Sequence, residues 1–398
     1  DADDTTKEVR LGMMHYKQAE EPVTLMYAQS GSSTNSIYIG GGTGSGNHAT
    51  SISLATASTY NSTSTTVNMI VDNNSRISLS NNDSGASNTI FGKSAGDSDG
   101  DGDFNVYIGE GAAGTGTQTD DSDGNVGVGY NALQDLTQGA YNTSIGWQSG
   151  LQLLTGDYNV FVGNYAGEGT TAGEKMTFVG GAAGRGVATT DAEGAVAIGY
   201  AALNTLTSGS RNLAVGYQSL DALTQADDNL AIGYEALTAS ANVNAARNMA
   251  IGSYALTTLN ADGRDNIAIG TGALQTANHA DVDGNVAIGS YVLDHVGTAG
   301  VWACTGIGYN ALTAVDNAGA AGSTAIGYSA LQALTSGAGN LAIGYSALSQ
   351  HTTGSRNIAI GYGAMDGTAQ DDSPTSTDNI FIGYDAGGGA WDDGADGT

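Results

Sequence analysis

One short sequence unit recurs at near-regular intervals through most of this chain. Between Gly339 and Met365 the sequence GNLAIGYSALSQHTTGSRNIAIGYGAM contains the unit twice, and the second copy begins 17 residues after the first. Seventeen copies align on the glycine of an Ile-Gly or similar pair, at spacings of 17 to 22 residues. Periods of this size are typical of solenoids, in which each coil packs only on its neighbours. These repeat glycines are Gly92, Gly109, Gly129, Gly146, Gly163, Gly180, Gly199, Gly216, Gly233, Gly252, Gly270, Gly289, Gly308, Gly327, Gly344, Gly361 and Gly383.

The residues before each repeat glycine predict a short β-strand. Ile or Val directly precedes the glycine in sixteen copies, and Val, Ile, Leu, Met or Thr usually lies two residues earlier. Residues two apart share one face of a strand, so we expect this pair to point into the coil and fill it. Helix is disfavoured because Gly, Thr, Ser and Asn at this density have poor helix propensity.

The residue between these two aliphatic positions is small in twelve copies and is most often Ala. We expect it to point away from the coil interior, toward a partner chain that approaches closely. Ala231 is one such residue. Five copies carry a larger residue here, and we expect those residues to fill a wider space between chains near the N-terminal coils: Ile90, Tyr107, Phe161, Phe178 and Phe381.

Ala-Leu recurs three and four residues after the repeat glycine, and a Thr-, Gly- and Ser-rich stretch follows it. This pattern predicts a second short strand and a turn, so that each coil contains two strands and two turns.

Two columns of identical residues have a predicted structural role. Asn stands four residues before the glycine in thirteen copies, the exceptions being Met176, Ala195, Cys304 and Ser323. Stacked coils would align these amides in a hydrogen-bonded ladder, represented by Asn212, Asn229, Asn248, Asn266, Asn340 and Asn357. The glycine column is predicted to supply a backbone angle, or a close approach, that a Cβ forbids, as at Gly216, Gly233, Gly344 and Gly361.

The repeat divides the chain into three parts. Residues 88–387 form the predicted solenoid array, and residues 388–398 are expected to be a flexible C-terminal end. In residues 1–87, alternating apolar residues in VTLMYA, SIYI, SISLA and VNMIV predict short strands. We interpret this segment as a β-rich cap or attachment segment, because an open solenoid end is an exposed strand edge.

Composition excludes several classes of partner and site. The chain has 40 acidic and 11 basic residues, a net charge of −29, which disfavours binding to nucleic acid and to anionic lipid. A single cysteine, Cys304, excludes an internal disulfide framework and a cysteine-based zinc site. No apolar run approaches the roughly 20 residues of a membrane helix. The five histidines show neither metal nor triad spacing, so the sequence does not predict an enzyme.

Acidic loops leave two interpretations open. Asp-x-Asp-x-Asn recurs before the repeat strands, and oxygen-rich loops of this kind suit calcium, the one cofactor we consider. They are not EF-hands, because Ile108 stands where the twelfth-position Glu would be. The other interpretation is ordinary solvated turns. The candidate ligands are Asp97, Asp99, Asp101, Asp103, Asp121, Asp123, Asp281 and Asp283.

Tyrosine directly follows the repeat glycine in nine copies. Such a column suits either a structural ladder of aromatic rings or contact with sugars of a receptor. The candidates for glycan contact are Tyr200, Tyr217, Tyr234, Tyr328 and Tyr345.

The repeat resembles those of two known groups of proteins. NLAIGYSAL, NIAIGTGAL and NVAIGSYVL resemble the head repeats of trimeric autotransporter adhesins, whose heads are trimers of left-handed parallel β-rolls. The Asn-x-x-Ile-Gly-x-x-Ala-Leu unit is similar to repeats of bacteriophage tail fibres that end in a removable endosialidase-type chaperone. The stretch LGMMHYKQAEEPVTLMYAQSGSSTNSIYIGGGTGSGNHA, with VNMIVDNNSRISL after it, resembles segments of such fibre proteins.

The resemblance implies an all-β, left-handed parallel β-solenoid of about 17 coils that assembles as a homotrimeric fibre. It further implies a virion appendage, extracellular, which attaches to a glycan or protein receptor of the host and joins other virion proteins through the N-terminal segment. Neither nucleic acid nor membrane is an expected partner. A bacterial surface adhesin or extracellular filament subunit is the alternative, and a glycan-degrading tailspike is a third interpretation.

Overall fold

The structure is a computed structural model of the whole chain. It describes the backbone of six strands within residues 7–78. It further describes residues 87–97, 102–119, 121–186, 188–189, 192–238, 245–259, 262–277, 279, 281–296, 300–315, 318–367 and 376–388. These parts are all-β apart from short 3₁₀ turns such as Ala318–Ala320. Of the predicted C-terminal end, only Gly388 lies within the described residues.

The six N-terminal strands form two antiparallel three-stranded sheets. The four stretches in which the sequence predicts strands, VTLMYA, SIYI, SISLA and VNMIV, all lie in strands, so that prediction is confirmed. The first sheet contains β1 (Lys7–Met13), β2 (Val23–Ser30) and β3 (Asn35–Ile39), and the second contains β4 (Ser51–Thr56), β5 (Thr66–Asp72) and β6 (Ile77–Ser78).

The repeat array is a parallel β-solenoid, as the repeat period predicts. Each described copy contributes one three-residue strand immediately before its glycine, and each strand pairs in parallel with the next in sequence order. Pairing is in register, so that Ala231 lies between Ala214 and Ala250. The seventeen strands are β7 (Thr89–Phe91), β8 (Val106–Ile108), β9 (Val126–Val128), β10 (Thr143–Ile145), β11 (Val160–Val162), β12 (Thr177–Val179), β13 (Val196–Ile198), β14 (Leu213–Val215), β15 (Leu230–Ile232), β16 (Met249–Ile251), β17 (Ile267–Ile269), β18 (Val286–Ile288), β19 (Thr305–Ile307), β20 (Thr324–Ile326), β21 (Leu341–Ile343), β22 (Ile358–Ile360) and β23 (Ile380–Ile382).

The Ala-Leu segment after each repeat glycine is a turn, so the prediction of a second strand was wrong. Ala236 and Leu237 are both fully buried, whereas adjacent residues of a strand point to opposite faces. The backbone achieves this with positive φ at alternate residues, 144° at Gly233, 49° at Glu235 and 52° at Leu237. Coils still bond to one another here, since the Leu237 N–H donates to the Ala255 carbonyl at 2.9 Å.

The orientation predicted for the strand residues was also wrong. The central residue of the strand points into the coil: Ala231 is fully buried within a single chain. Its neighbours Leu230 and Ile232 point outward, and Ile232 is 37% exposed. The alanine column therefore cannot line an axis shared between chains.

Volume explains why small residues occupy the strand centre. In the coil of Ala231, the other inward side chain is Leu237, four residues after the repeat glycine, and both are buried. Where the strand centre is large, that second position is a glycine or alanine. A Cβ added to Gly184 would lie 2.3 Å from the ring of Phe178. The large residues expected between chains thus fill the coil interior: Ile90, Tyr107, Phe161, Phe178 and, partly buried, Phe381.

Asparagine side chains form a buried hydrogen-bonded ladder along the array. The Asn229 Oδ1 accepts the backbone N–H of Asn248 at 3.0 Å, and the Asn229 Nδ2 donates to the Asn212 Oδ1 at 3.2 Å. Most of these amides also donate to a carbonyl of the following turn, as Asn248 does to Gly263 at 2.9 Å. Each amide therefore ties two coils together, and none of the described ladder amides is left buried without a hydrogen-bond partner. The three uninterrupted runs are Asn88–Asn159, Asn212–Asn285 and Asn340–Asn379.

The repeat glycines combine an unusual backbone angle with close contact between coils. Their φ angles lie between 130° and 145°, outside the range that side chains favour. A Cβ on Gly216 would also lie 2.2 Å from the carbonyl oxygen of Gly233 in the next coil, and the same contact recurs at Gly233, Gly344 and Gly361. Both reasons predicted for this column are present in the structure.

Candidate functional site

The outward side of the solenoid sheet is the largest candidate surface. It consists of the two strand positions that flank the buried centre, as at Leu213 and Val215 or Leu230 and Ile232, and we call it the outer apolar face. Its residues are half-buried or exposed in a single chain, with 42% exposure at Ile198 inside the array and 67% at Ile382 in the last coil. Every residue at these two positions is apolar or threonine, so no charge interrupts the face.

The dimensions of this face set it apart from ordinary scattered surface apolar residues. Seventeen strands at a spacing of about 4.8 Å extend for about 80 Å. Two side-chain columns span a width of about 10 Å. The resulting area is about 800 Å², beyond the few hundred Å² usual for an exposed apolar patch. Because the sequence suggested that these side chains point inward, it did not identify the face as a surface.

A second outer column consists of stacked tyrosines, which we call the tyrosine ladder. The Tyr217 ring stacks between Tyr200 and Tyr234, at centroid distances of 5.5 and 5.3 Å. A longer stack runs from Tyr309 to Tyr384. The rings are exposed at their edges, but their faces cover one another. A sugar that stacks on an aromatic face would find most of these faces occupied, including those of Tyr328 and Tyr345.

In two of the acidic motifs, one carboxylate accepts a backbone hydrogen bond from the preceding coil. The Asp123 Oδ1 accepts the N–H of Asp103 at 2.7 Å, and the Asp283 Oδ1 accepts the N–H of Arg264 at 2.9 Å. The first Asp of these two motifs, Asp121 or Asp281, is exposed. This arrangement joins consecutive coils in the same way as the asparagine ladder.

The calcium ligands predicted from the sequence are only partly covered by the structure. Asp99 and Asp101 lie outside the described residues, and Asp97 is exposed. Within the described ranges, no group of three or more His, Cys, Asp or Glu side chains is placed to hold a metal ion.

Ion pairs between coils lie directly before the asparagine ladder. Arg211 contacts both carboxylate oxygens of Asp228, at 2.6 and 3.0 Å, and Arg247 and Arg356 contact Asp265 and Asp378 in the same way. The hydrogen bond from Arg211 lowers the pKa of Asp228. All these groups are exposed, so water and salt screen each pair and it contributes little to stability.

Two buried titratable side chains belong to the core and not to a surface site. Cys304 takes an asparagine position, and burial raises its pKa to about 11. His351 is fully buried, and its Nε2 lies 3.2 Å from the Asn357 Nδ2. Burial lowers the pKa of His351. Neither environment resembles that of a solvent-accessible nucleophile or base.

Comparisons with known proteins add no family to these observations. Neither a protein-family model, nor a curated protein sequence, nor a solved structure matches this chain. Across the described residues, no helix has both the length and the apolar character needed to cross a membrane.

Proposed function

We propose that this chain is a structural fibre protein of a virion appendage, a phage tail fibre, which attaches the particle to the host cell surface. A stack of in-register coils about 80 Å long is suited to holding a recognition surface away from a particle. The role is mechanical and adhesive, not catalytic. The observation that carries the proposal is the outer apolar face, because a chain with such a face needs a partner along its whole length.

The partner that we propose is a further copy of the same chain. A further copy has the same spacing of apolar columns over the same length, and in parallel orientation its side chains can interdigitate with these in every coil. The estimated area of about 800 Å² matches what each partner buries in a standard stable interface. The net charge of −29 does not oppose this contact directly, since none of the charged residues lies on the face.

We propose three copies, because the repeat resembles those of trimeric β-roll fibres and closed rotational symmetry buries the face of every copy equally. Sedimentation equilibrium of the native protein should give three times the chain mass of 39.8 kDa. A monomer at micromolar concentration would contradict the assembly, and a dimer would contradict the number of copies.

Substitutions on adjacent strand positions test which face is used. Ile232→Arg should block assembly while each chain keeps its β-structure, because the charge would be buried unpaired between copies. Ala231→Arg should instead disrupt the coil itself, since Ala231 is buried within one chain. Tyr234→Arg, on the tyrosine ladder, is the matched control and should leave the assembly intact. An intact trimer carrying Arg at position 232 would rule out the outer apolar face.

Attachment is tested by locating the protein and by measuring its binding to cells. Antibodies against the chain should label tails or spikes of virus particles in the source material, and the labelled fibre should adsorb to the bacteria that those particles infect. Labelling of bacterial surfaces instead would favour a bacterial adhesin or filament subunit. Release of sugars from bacterial polysaccharide by the purified protein would favour a glycan-degrading spike.

A further inference from the structure

An open cleft lies on the outside of the solenoid, at the turns that precede β16, β17, β18 and β19. Its volume is about 480 Å³, which is the size of a site for a small ligand. It combines two guanidinium groups, two carboxylates and one indole. The lining residues are Arg247, Arg264, Asp265, Asp283, Gly284, Trp302 and Ala303.

The cleft exists because two consecutive coils lack a long side chain at the sequence position immediately before the ladder residue. Arg247 and Asp265 occupy this position in the two preceding coils, whereas Gly284 and Ala303 follow. A Cβ added to Gly284 would have no other heavy atom within 4 Å, so the space above it is open. The floor of the cleft is therefore backbone, with larger side chains around it.

Trp302 forms an apolar part of the lining. It takes the position that Asp283 takes one coil earlier, and the two residues pair through a backbone bridge. The Trp302 side chain is 44% exposed, and within the described ranges it stacks on no other ring. Its ring faces are thus accessible, unlike those inside the tyrosine ladder.

The polar groups differ in how tightly they are held. Asp265 accepts hydrogen bonds from two nitrogens of Arg247, at 2.6 and 2.9 Å. Arg264 is half-exposed, and its Nε lies 3.9 Å from the Asp283 Oδ1, beyond hydrogen-bond distance. The Arg264 guanidinium can therefore turn toward a ligand with little loss of existing hydrogen bonds. Asp283 is held in place, because its Oδ1 accepts the backbone N–H of Arg264 at 2.9 Å, and it can offer its other oxygen, Oδ2, to a ligand.

We infer that this cleft binds a neutral hexopyranose unit of a surface glycan. The apolar C–H face of a pyranose ring fits an exposed indole, and neighbouring hydroxyls fit a planar donor such as Arg264 beside a planar acceptor such as Asp283. The two arginines balance the two aspartates, and the chain carries a net charge of −29, so a polyanionic glycan is disfavoured. This inference rests on the proposed attachment function and assigns its sugar contact to a place other than the tyrosine ladder.

Saturation-transfer NMR on the assembled protein tests the inference directly. The probes are the methyl glycosides of glucose, galactose and mannose, with methyl glucuronide as the acidic comparison. At least one neutral glycoside should receive saturation at its ring C–H protons, and free neutral sugar should compete for it. Absence of transfer to every neutral glycoside, or transfer to the glucuronide alone, would overturn the inference.

Variants assign the signal to the cleft. Trp302→Ala should weaken binding about tenfold or more, and Arg264→Gln should weaken it by a smaller factor. Arg211→Gln is the matched control, because Arg211 is a similarly exposed arginine in another coil, and binding should persist. Circular dichroism and sedimentation confirm that each variant is assembled. Equal transfer in wild type and in Trp302→Ala would place the sugar elsewhere and overturn the inference.

Adsorption to cells separates this inference from the proposed function. If wild-type fibre adsorbs to host cells and Trp302→Ala does not, both stand. If both adsorb equally, attachment stands and the cleft is not the contact. If wild-type fibre adsorbs to no host cell while the NMR signal depends on Trp302, the proposed attachment fails and the sugar site remains.

Discussion

The ring of Phe161 occupies the space that a side chain at Gly167 would need, since a Cβ on Gly167 would lie 2.8 Å from the Phe161 Cδ1. In the coil of Ala214, the equivalent second position is Leu220, and both residues are fully buried. Both of these coils therefore combine one large and one small inward residue, with the large one at the strand centre in the first coil and in the turn in the second. Close packing of protein interiors requires such compensation.

Exchanging the two sizes within one coil tests this relationship. Phe161→Ala should lower the free energy of unfolding by about 3–5 kcal/mol because it leaves a cavity. Adding Gly167→Leu should recover most of that loss, since Leu220 adopts a φ of 51° at the equivalent position and Gly167 already has 61°. Denaturant unfolding of the single and double variants measures both effects.

The same cycle contains its own control. Gly167→Leu in the presence of Phe161 should destabilise the coil by about 1–3 kcal/mol through overpacking. The two substitutions should therefore be strongly non-additive. Additive losses would show that Phe161 and Gly167 do not share one space.

The sequence predicts the solenoid, the strand positions, the asparagine ladder and the glycine column because each depends on period and residue type alone. It does not assign the inward face of a three-residue strand by hydrophobicity, since Ala231 and Ile232 are both apolar. The informative signal is a size correlation that is visible in the sequence. A large residue at the strand centre, such as Phe161, is accompanied by a small residue in the turn, Gly167, and a small one, such as Ala231, by the large Leu237. The prediction used the larger aliphatic residues instead and so inverted the two faces.

The Ala-Leu turn and the cleft depend on features that patterns of residue type do not carry. Leu237 has positive φ, which its residue type disfavours and which only the stacked coils enforce. Likewise, Trp302 gains its surroundings from Arg264 and Asp283 in the two preceding coils, at distances set by the repeat spacing. Neither could be derived from local propensity.

Substitution of two glycines separates the effect of backbone conformation on stability from the effect of close contact between coils. Gly216→Ala should destabilise the array by at least about 1–3 kcal/mol, because φ is 139° and the new Cβ would overlap the Gly233 carbonyl. Gly322→Ala should cost less, about 1 kcal/mol, because only the left-handed backbone angle opposes it: its Cβ has open space, and Ala303 already adopts a φ of 56° at the same repeat position. Equal melting temperatures for both variants would contradict the role of the glycine column.

The Asp123 carboxylate is expected to act as a hydrogen-bond acceptor for the Asp103 N–H. Asp123→Asn retains an acceptor oxygen and should have little effect on thermal stability. Asp123→Ala removes it and should cost about 1 kcal/mol. If both variants lose the same stability, charge and not the hydrogen bond is what matters at this position.

The calcium interpretation of the same loops makes a separate prediction. Ligand binding to the folded state would raise the melting temperature on addition of calcium and lower it on addition of chelator, by mass action. Asp121→Asn should abolish that response, because Asp121 is exposed and can be replaced without loss of a backbone hydrogen bond. A wild-type melting temperature that ignores both calcium and chelator identifies these loops as ordinary acidic turns.

His351 should make the C-terminal coils sensitive to acid. It lies fully buried at the repeat position that Leu334 holds in the preceding coil, and its Nδ1 has no hydrogen-bond partner. Burial lowers the pKa of His351 in the folded state below the ordinary value of 6.5, so the folded protein favours the neutral imidazole. Stability is therefore fully present above about pH 6.5 and is lost progressively as the pH falls below it. His351→Leu should raise the melting temperature at pH 7 and flatten its dependence between pH 7 and pH 5. His351→Gln, which cannot titrate, should flatten the dependence without the gain, and an unchanged slope in both variants would assign the acid sensitivity to other groups.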